Sequence, residues 1–276
     1  MSPPTARSTP RVMGIVNVTP DSFSDGGWLT TVEMAVAHGL RLVEQGADIL
    51  DIGGESTRPG ADPVAAPEES ARVIPVIERL RAHWAGPISI DTMKPAVARA
   101  AVAAGATMWN DVTALGHAAD SLATAAELGC DMVLMHMRGE PRTMQADPHY
   151  DDVVAEVSGW LSARAEAAMA AGVARERIWL DPGIGFGKTA AHNLALTANL
   201  DRLAATGFPV LYGASRKRTI QTIDPTATDP GDRLGGSLAL ALEAARRGAS
   251  ILRVHDVRET VQALAVQAAV AAAARG

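Results

Sequence analysis

Eight times along the 276 residues, a short apolar run with a polar residue at its end gives way to a longer segment of helical period. That alternation constrains the fold more than any other feature. The strand candidates are Arg11–Val18, Asp48–Gly53, Pro87–Thr92, Thr107–Val112, Asp131–His136, Ile178–Pro182, Val210–Ala214 and Ile251–His255. The helix candidates are Thr31–Gln45, Pro67–His83, Pro95–Ala104, Asp120–Leu128, Asp151–Ala171, Asn193–Ala205, Asp232–Arg247 and Asp256–Ala273. Continuous apolar strands joined by helices make a parallel sheet covered by helices. Eight similar units favour closure over an open doubly wound sheet, so the expected class is α/β, a (β/α)8 TIM barrel in a single domain. Such a barrel needs roughly 250 residues. No linker or composition break divides 11–276, and the Pro/Ser/Thr-rich stretch 1–10 reads as a disordered tail. Gly46, Gly105, Gly129, Gly172, Gly207 and Gly248 stand where helices need a C-cap before the next strand.

A barrel of this type carries its chemistry at the carboxyl ends of the strands. The strand ends here are Asn17, Asp51, Asp91-Thr92, Asn110-Asp111, Met135-His136, Asp181, Gly213-Ala-Ser-Arg-Lys217 and Arg253-Val-His-Asp256. Any one acid or amide in such a place is ordinarily a turn former or a helix N-cap; Asp51, Asp111 and Asp256 can be read that way. Polar groups at the same end of all eight strands are better explained by a shared mouth.

Sorted by charge, the groups point to a ligand with two kinds of surface. Asn17, Arg253 and His255 lie on the first and last strands, neighbours once the barrel closes. An amide oxygen with Arg and His suits a Mg²⁺-bound polyphosphate. Asp91, Asn110 and Asp181 are acceptors that suit a heterocycle with an amino group and a ring N–H, such as a 2-amino-4-oxo pteridine or guanine. A charge-assisted hydrogen bond there contributes roughly 1.5–3 kcal/mol. Ser215, Arg216 and Lys217 open a helix after strand seven and offer an anion site at its N-terminus, or a Lys217 donor to a ring carbonyl. The Gly-rich stretch 183–187 lacks the spacing of a P-loop.

Composition narrows the partners. A net charge of −6 with no Lys/Arg-rich face argues against nucleic-acid binding. The lone Cys130 excludes an internal disulfide and a cysteine zinc site, and its apolar surroundings read as a buried, inert thiol. The first residues lack the apolar core of a signal peptide. The Ala-rich C-terminal segment reads as an outer helix of the barrel, not a membrane span. A soluble, cytoplasmic protein without membrane partners is expected.

The loops Asn17-Val-Thr-Pro-Asp-Ser-Phe-Ser-Asp-Gly-Gly27 and Asp51-Ile-Gly-Gly-Glu-Ser-Thr-Arg-Pro-Gly60 resemble the two signature loops of the dihydropteroate synthases. Ser89-Ile-Asp-Thr92, Asn110-Asp-Val112, Met135-His-Met137, Asp181-Pro-Gly-Ile-Gly-Phe-Gly-Lys188, Gly213-Ala-Ser-Arg-Lys217 and Arg253-Val-His-Asp256 resemble the same family in the same order. The resemblance runs from about Val12 to the C-terminus. It implies a homodimeric barrel that joins 6-hydroxymethyl-7,8-dihydropterin diphosphate to p-aminobenzoate, giving 7,8-dihydropteroate and pyrophosphate in folate biosynthesis. It further implies Mg²⁺ as cofactor and sulfonamides as competitors at the p-aminobenzoate site. Carried over, Asp91, Asn110, Met135, Asp181 and Lys217 hold the pterin; Asn17 binds the metal; Thr57, Arg253 and His255 take the diphosphate. Thr57, Arg58, Pro59, Phe186 and Ser215 border the p-aminobenzoate, while Phe23 and Arg58 close the loops over the centre. Asp91, Lys217, Arg253 and His255 are the expected catalytic set. Trp109 and Tyr212 are bulkier than the small aliphatics expected beside the site.

Two other readings share part of this pattern. A methyltetrahydrofolate-binding module of a corrinoid methyltransferase needs the acceptors but not Arg58, Lys217, Arg253 and His255. A noncatalytic pterin-binding paralogue predicts eroded loops, and both loops are intact.

Overall fold

Each strand is short and apolar because both of its faces are covered, one by the barrel lumen and the other by helices. The computed structural model describes residues 9–18, 28–56, 62–140 and 143–274. In it β1 (Arg11–Asn17), β2 (Ile49–Gly53), β3 (Ile88–Asp91), β4 (Met108–Asp111), β5 (Asp131–Met135), β6 (Ile178–Asp181), β7 (Val210–Tyr212) and β8 (Ala249–Val254) form a closed parallel barrel. Closure comes from β8 against β1, with Arg253 opposite Met13. Outside lie α1 (Trp28–Glu44), α2 (Ala66–His83), α3 (Pro95–Ala103), α4 (Ser121–Leu128), α5 (Val153–Ala170), α6 (Ala190–Ala198), α7 (Leu200–Ala204), α8 (Arg218–Ile223), α9 (Leu234–Arg246) and α10 (Val257–Ala273). The six expected cap glycines all hold positive φ. No helix among the described residues is long and apolar enough to cross a membrane.

Two helical segments differ from expectation. The one expected over Asn193–Ala205 starts earlier and breaks in the middle. Thr189 caps it by accepting from His192 N–H, and the His192 ring accepts in return from the Thr189 N–H. Asn199 then leaves helical geometry (φ −127°, ψ 27°) while its side chain donates to Ala195 O at 2.9 Å, splitting α6 from α7. The helix expected to open at Ser215 begins at Arg218 and lasts six residues. A 3-10 turn, Pro230–Arg233, then leads into α9.

Apolar packing falls into two bodies. The larger lies between the strands and the helices and includes Leu50, Ile90, Trp109, Leu134, Leu180 and Tyr212. Trp109 and Tyr212 therefore do not narrow the mouth. Trp109 Nε1 donates to Thr92 O at 2.7 Å, and Tyr212 pairs its hydroxyl with Thr197 Oγ1 at 2.7 Å. The smaller body fills the lumen with Met13, Ile49, Met108, Val133, Leu211 and Ile251, closed by Trp179.

Candidate active site

Side chains alternate between the two faces of a strand, so the lumen-facing apolar layer fixes what stands above it. Two residues beyond Ile49, Met108, Val133, Trp179 and Ile251 come Asp51, Asn110, Met135, Asp181 and Arg253. Asn17 and Asp91 share this parity on β1 and β3, which the register confirms: Asn17 pairs with Gly53, Gly53 with Asp91, and Asp91 with Asn110. A Cβ placed on Gly53 would lie 3.7 Å from Asn17 Oδ1 and 3.8 Å from Asp91 Oδ2, so these two groups flank it. Asp111 and His136 have the opposite parity. Asp111 faces outward and accepts from Thr113 N and Thr113 Oγ1, both at 2.7 Å, and from Leu115 N at 2.9 Å. Its reading as a turn former is correct.

The reading of Asp51 as a turn former is not. Asp51 is fully buried and its Oδ2 accepts from Arg253 Nε at 2.6 Å and from Asn110 Nδ2 at 3.3 Å. A second guanidinium nitrogen of Arg253 donates to Asp91 Oδ2 at 2.7 Å. Arg253 therefore spans the lumen between two acids and joins the groups that charge alone had sorted into separate halves. Burial raises Asp91 to about 7; Arg253 pulls it down, and the charges of Asp51 and Glu69 push it back up. For Arg253, burial lowers the pKa, but Asp51 and Asp91 outweigh it and keep the guanidinium charged.

Opposite stands Asp181, buried, with Oδ1 accepting from Gly183 N–H at 2.7 Å. Its other oxygen has no bonding partner among the described residues. Burial raises its pKa, and Lys217 offsets part of the rise. Lys217 donates to Ile184 O and lies 4.6 Å from the centre of the Phe186 ring. Burial lowers Lys217 to about 8, with Asp181 acting the other way. Met135 is 3% exposed on the lumen face of β5, in register with Asp181. Three acceptors and one ammonium thus converge on a single opening.

The β7 and β8 ends meet at Ser215 and His255. Ser215 Oγ lies 3.0 Å from His255 Nδ1 and accepts from His255 N–H at 3.2 Å. Arg216, at φ 59°, is held by its N–H to Ser237 Oγ at 2.9 Å, and by its Nε to Asp256 Oδ2 at 3.0 Å. Asp256, read as an N-cap, makes no side-chain cap on α10; it fixes Arg216.

Phe23, Thr57, Arg58 and Pro59 lie outside the described residues. The residues beside the second loop are described, and sequence reasoning missed them. Glu55 Oε1 accepts from Val64 N–H at 2.9 Å, tying together the flanks of 57–61. Lys94, just past β3, pairs with Glu55 and with the fully buried Glu69 at 2.5 Å. Arg72 donates to Gly54 O at 2.7 Å. Local pattern does not reveal these pairings, because Gly54 lies 18 positions from Arg72 and Glu55 lies 39 from Lys94.

A family model described as pterin binding enzyme matches residues 13–255. A dihydropteroate synthase of Escherichia coli K12 is 48% identical over 94% of this chain and 91% of that protein. The chain belongs to the dihydropteroate synthases. The solved structure of the Xanthomonas albilineans dihydropteroate synthase with 4-aminobenzoic acid superposes with a TM-score of 0.90 at 59% identity, covering 96% of this chain and 94% of that one. The same organism's dihydropteroate synthase in complex with 7,8-dihydropteroate gives 0.85 at 53% identity, covering 96% and 94%. Membership makes the chain a transferase of folate biosynthesis, and the barrel expected from its sequence is the family's fold.

Proposed function

We propose that this chain condenses 6-hydroxymethyl-7,8-dihydropterin diphosphate with p-aminobenzoate to give 7,8-dihydropteroate and pyrophosphate. The observation that carries the reading is the lumen mouth, where Asp91, Asn110 and Asp181 offer acceptors opposite Lys217 and Arg253. The family and the ligands named for the Xanthomonas albilineans relatives support it.

In this reading the pterin enters edge-on. Its amino group and ring N–H donate to Asp181, Asn110 and Asp91, its ring carbonyl accepts from Lys217, and Met135 packs against its face. Asn110 has already given its Nδ2 to Asp51, which leaves its oxygen as the acceptor. The diphosphate lies toward Arg253, His255 and Thr57. Asn17 fits a Mg²⁺ that arrives with it. The amide oxygen is a hard donor at the opening, and the described residues hold no cluster of three or more His, Cys, Asp or Glu able to bind a metal alone. Held there by Asn17, Mg²⁺ would offset negative charge on the pyrophosphate.

Departure of pyrophosphate precedes amine attack. Arg253 and His255 take up charge on the leaving group, and Asp91 stabilises the cation that forms on the pterin methylene. An arylamine already carries a free lone pair at neutral pH, so Phe186, Ser215, Thr57, Arg58 and Pro59 need to position it more than deprotonate it. Holding the two reactants face to face removes roughly 7–11 kcal/mol of barrier. Phe23 and Arg58 close over the centre and exclude water. Sulfonamides, which mimic the arylamine, compete for that position. The protein acts as a homodimer in the cytoplasm; sedimentation and localisation of a tagged chain test those two points.

The deciding assay incubates the purified chain with the pterin diphosphate, labelled p-aminobenzoate and Mg²⁺. Labelled dihydropteroate is expected. Its absence from an active-site-intact preparation overturns the reading and leaves the methyltransferase module or a noncatalytic binder. Addition of a sulfonamide is expected to slow product formation competitively with p-aminobenzoate.

A further inference from the structure

Lys188 is a buried cation to which the mechanism above gives no task. It is 2% exposed and follows the turn 182–187 that leads out of β6. Its ammonium meets four acceptors: Gly183 O and Phe186 O at 3.0 Å, His136 O at 3.1 Å and His136 Nδ1 at 2.9 Å. No carboxylate lies within ion-pair distance of it among the described residues. Burying a charge this way is costly, and burial accordingly lowers Lys188 to about 7, with Asp181 acting the other way. The His136 ring that accepts from it must be neutral; burial, then the charge of Lys188, lowers His136 to about 3.

The geometry around the ammonium accounts for that expense. Gly183, Gly185 and Gly187 alternate in the left-handed region at φ 66°, 83° and 62°. At Gly183 a Cβ would stand 2.0 Å from His136 O, and at Gly187 2.2 Å from Arg138 O, so the turn is pressed against the end of β5. The carbonyls then divide. Those of Gly183 and Phe186 point inward to Lys188, whereas Ile184 O accepts from Lys217 and Gly185 O from Gln145. The N–H of Gly183, on the same peptide run, fixes Asp181 Oδ1.

We propose that Lys188 is a positioning residue of the pterin site: by drawing the Gly183 and Phe186 carbonyls inward, it sets the Ile184 carbonyl and the Phe186 ring against which Lys217 is held, and the amide that orients Asp181. An apolar side chain of the same length cannot do this, because the turn's carbonyls would lose the donor that orders them. The inference rests on the reading that Asp181 and Lys217 bind the pterin, and it assigns no contact between Lys188 and substrate.

The test is steady-state kinetics on Lys188→Met beside the wild type, with folding checked by circular dichroism and melting. In the folded variant, KM for the pterin diphosphate is expected to rise about tenfold or more, the effect of one misplaced charged hydrogen-bond partner. KM for p-aminobenzoate is expected to rise about threefold through Phe186, while kcat stays within about threefold. A merely structural role predicts the reverse: fewer active molecules, so kcat falls while both KM values hold. An unchanged pterin KM in a folded variant overturns the proposal whatever kcat does. If Lys188→Met does not fold, Lys188→Gln is measured instead: its amide has two N–H donors on a shorter side chain and cannot order both carbonyls, so the pterin KM is again expected to rise, and an unchanged value overturns the proposal. A wild type that makes no dihydropteroate defeats the functional reading instead, so the two failures are distinct.

Discussion

The lower layer of the lumen is built from Ile49, Met108, Val133, Trp179 and Ile251, and the layer above it, on the same faces of the same strands, carries Asp51, Asn110, Met135, Asp181 and Arg253. The lower layer is apolar but for Trp179 Nε1 and, on β3, Ser89 Oγ, both buried without a partner. The upper one leaves a carboxylate oxygen, Asp51 Oδ1, buried without a partner, and it holds Asp91 near 7 and Lys217 near 8. Two residues of strand separate packing from chemistry. Closing the barrel is the task of the first layer, while the second carries charged groups with shifted ionisation because a ligand completes it.

That division is open to attack from both sides. The largest effect is expected from Asp181→Ala. Losing hydrogen bonds to a charged acceptor, at roughly 1.5–3 kcal/mol each, should lower kcat/KM for the pterin diphosphate by about a thousandfold. Its melting temperature should not fall, since the lost group was a buried carboxylate with a raised pKa. Matched values of kcat/KM for variant and wild type would remove Asp181 from the site. Next in size, Ile49→Ala should cost roughly 2–5 kcal/mol in denaturant unfolding, with KM values held within about twofold. A large KM change there would mean that the layers are not separate.

Asp51→Asn comes third. It removes the charge that aims Arg253, and a loss of roughly 1–3 kcal/mol of stability with a tenfold or greater fall in kcat/KM is expected. A full-activity variant would return Asp51 to a packing role. The smallest effect is in pH. Asp91 accepts a ligand N–H when ionised, so kcat/KM for the pterin should rise through its value near 7; Lys217 loses its charge near 8, so the curve should fall beyond it. Lys217→Met should lack the alkaline limb, and a wild-type profile flat from about pH 6 to 9 would refute both assignments.

The barrel was legible because apolar runs and helical periods repeat eight times, and because six glycines mark the turns between them. What sequence reading missed follows from distance or from competing local bonds. The α6–α7 break turns on Asn199 bonding Ala195 O, a choice that side-chain chemistry permits but periodicity does not reveal. Asp51 and Asp111 look alike as strand-end acids; strand parity sends Asp51 inward and Asp111 outward, but both faces of these strands are apolar, so only the folded barrel says which parity meets the lumen. Lys94, Glu69 and Lys188 gave no comparable signal, because their roles come from partners contributed by other β–α units. The roles of Phe23, Thr57, Arg58 and Pro59 rest on the resemblance alone.

Arg253 reaches Asp51 across 202 positions of chain and Asp91 across 162. The cation that reconciles those two acids is thus synthesised after both of them and after the first seven strands. A chain folded only as far as β7 would lack that counter-charge and the β8–β1 pairing that closes the barrel. Competence therefore arrives late and at once. A chain clipped before Ala249 would lose its seal and its charge balance in a single cut.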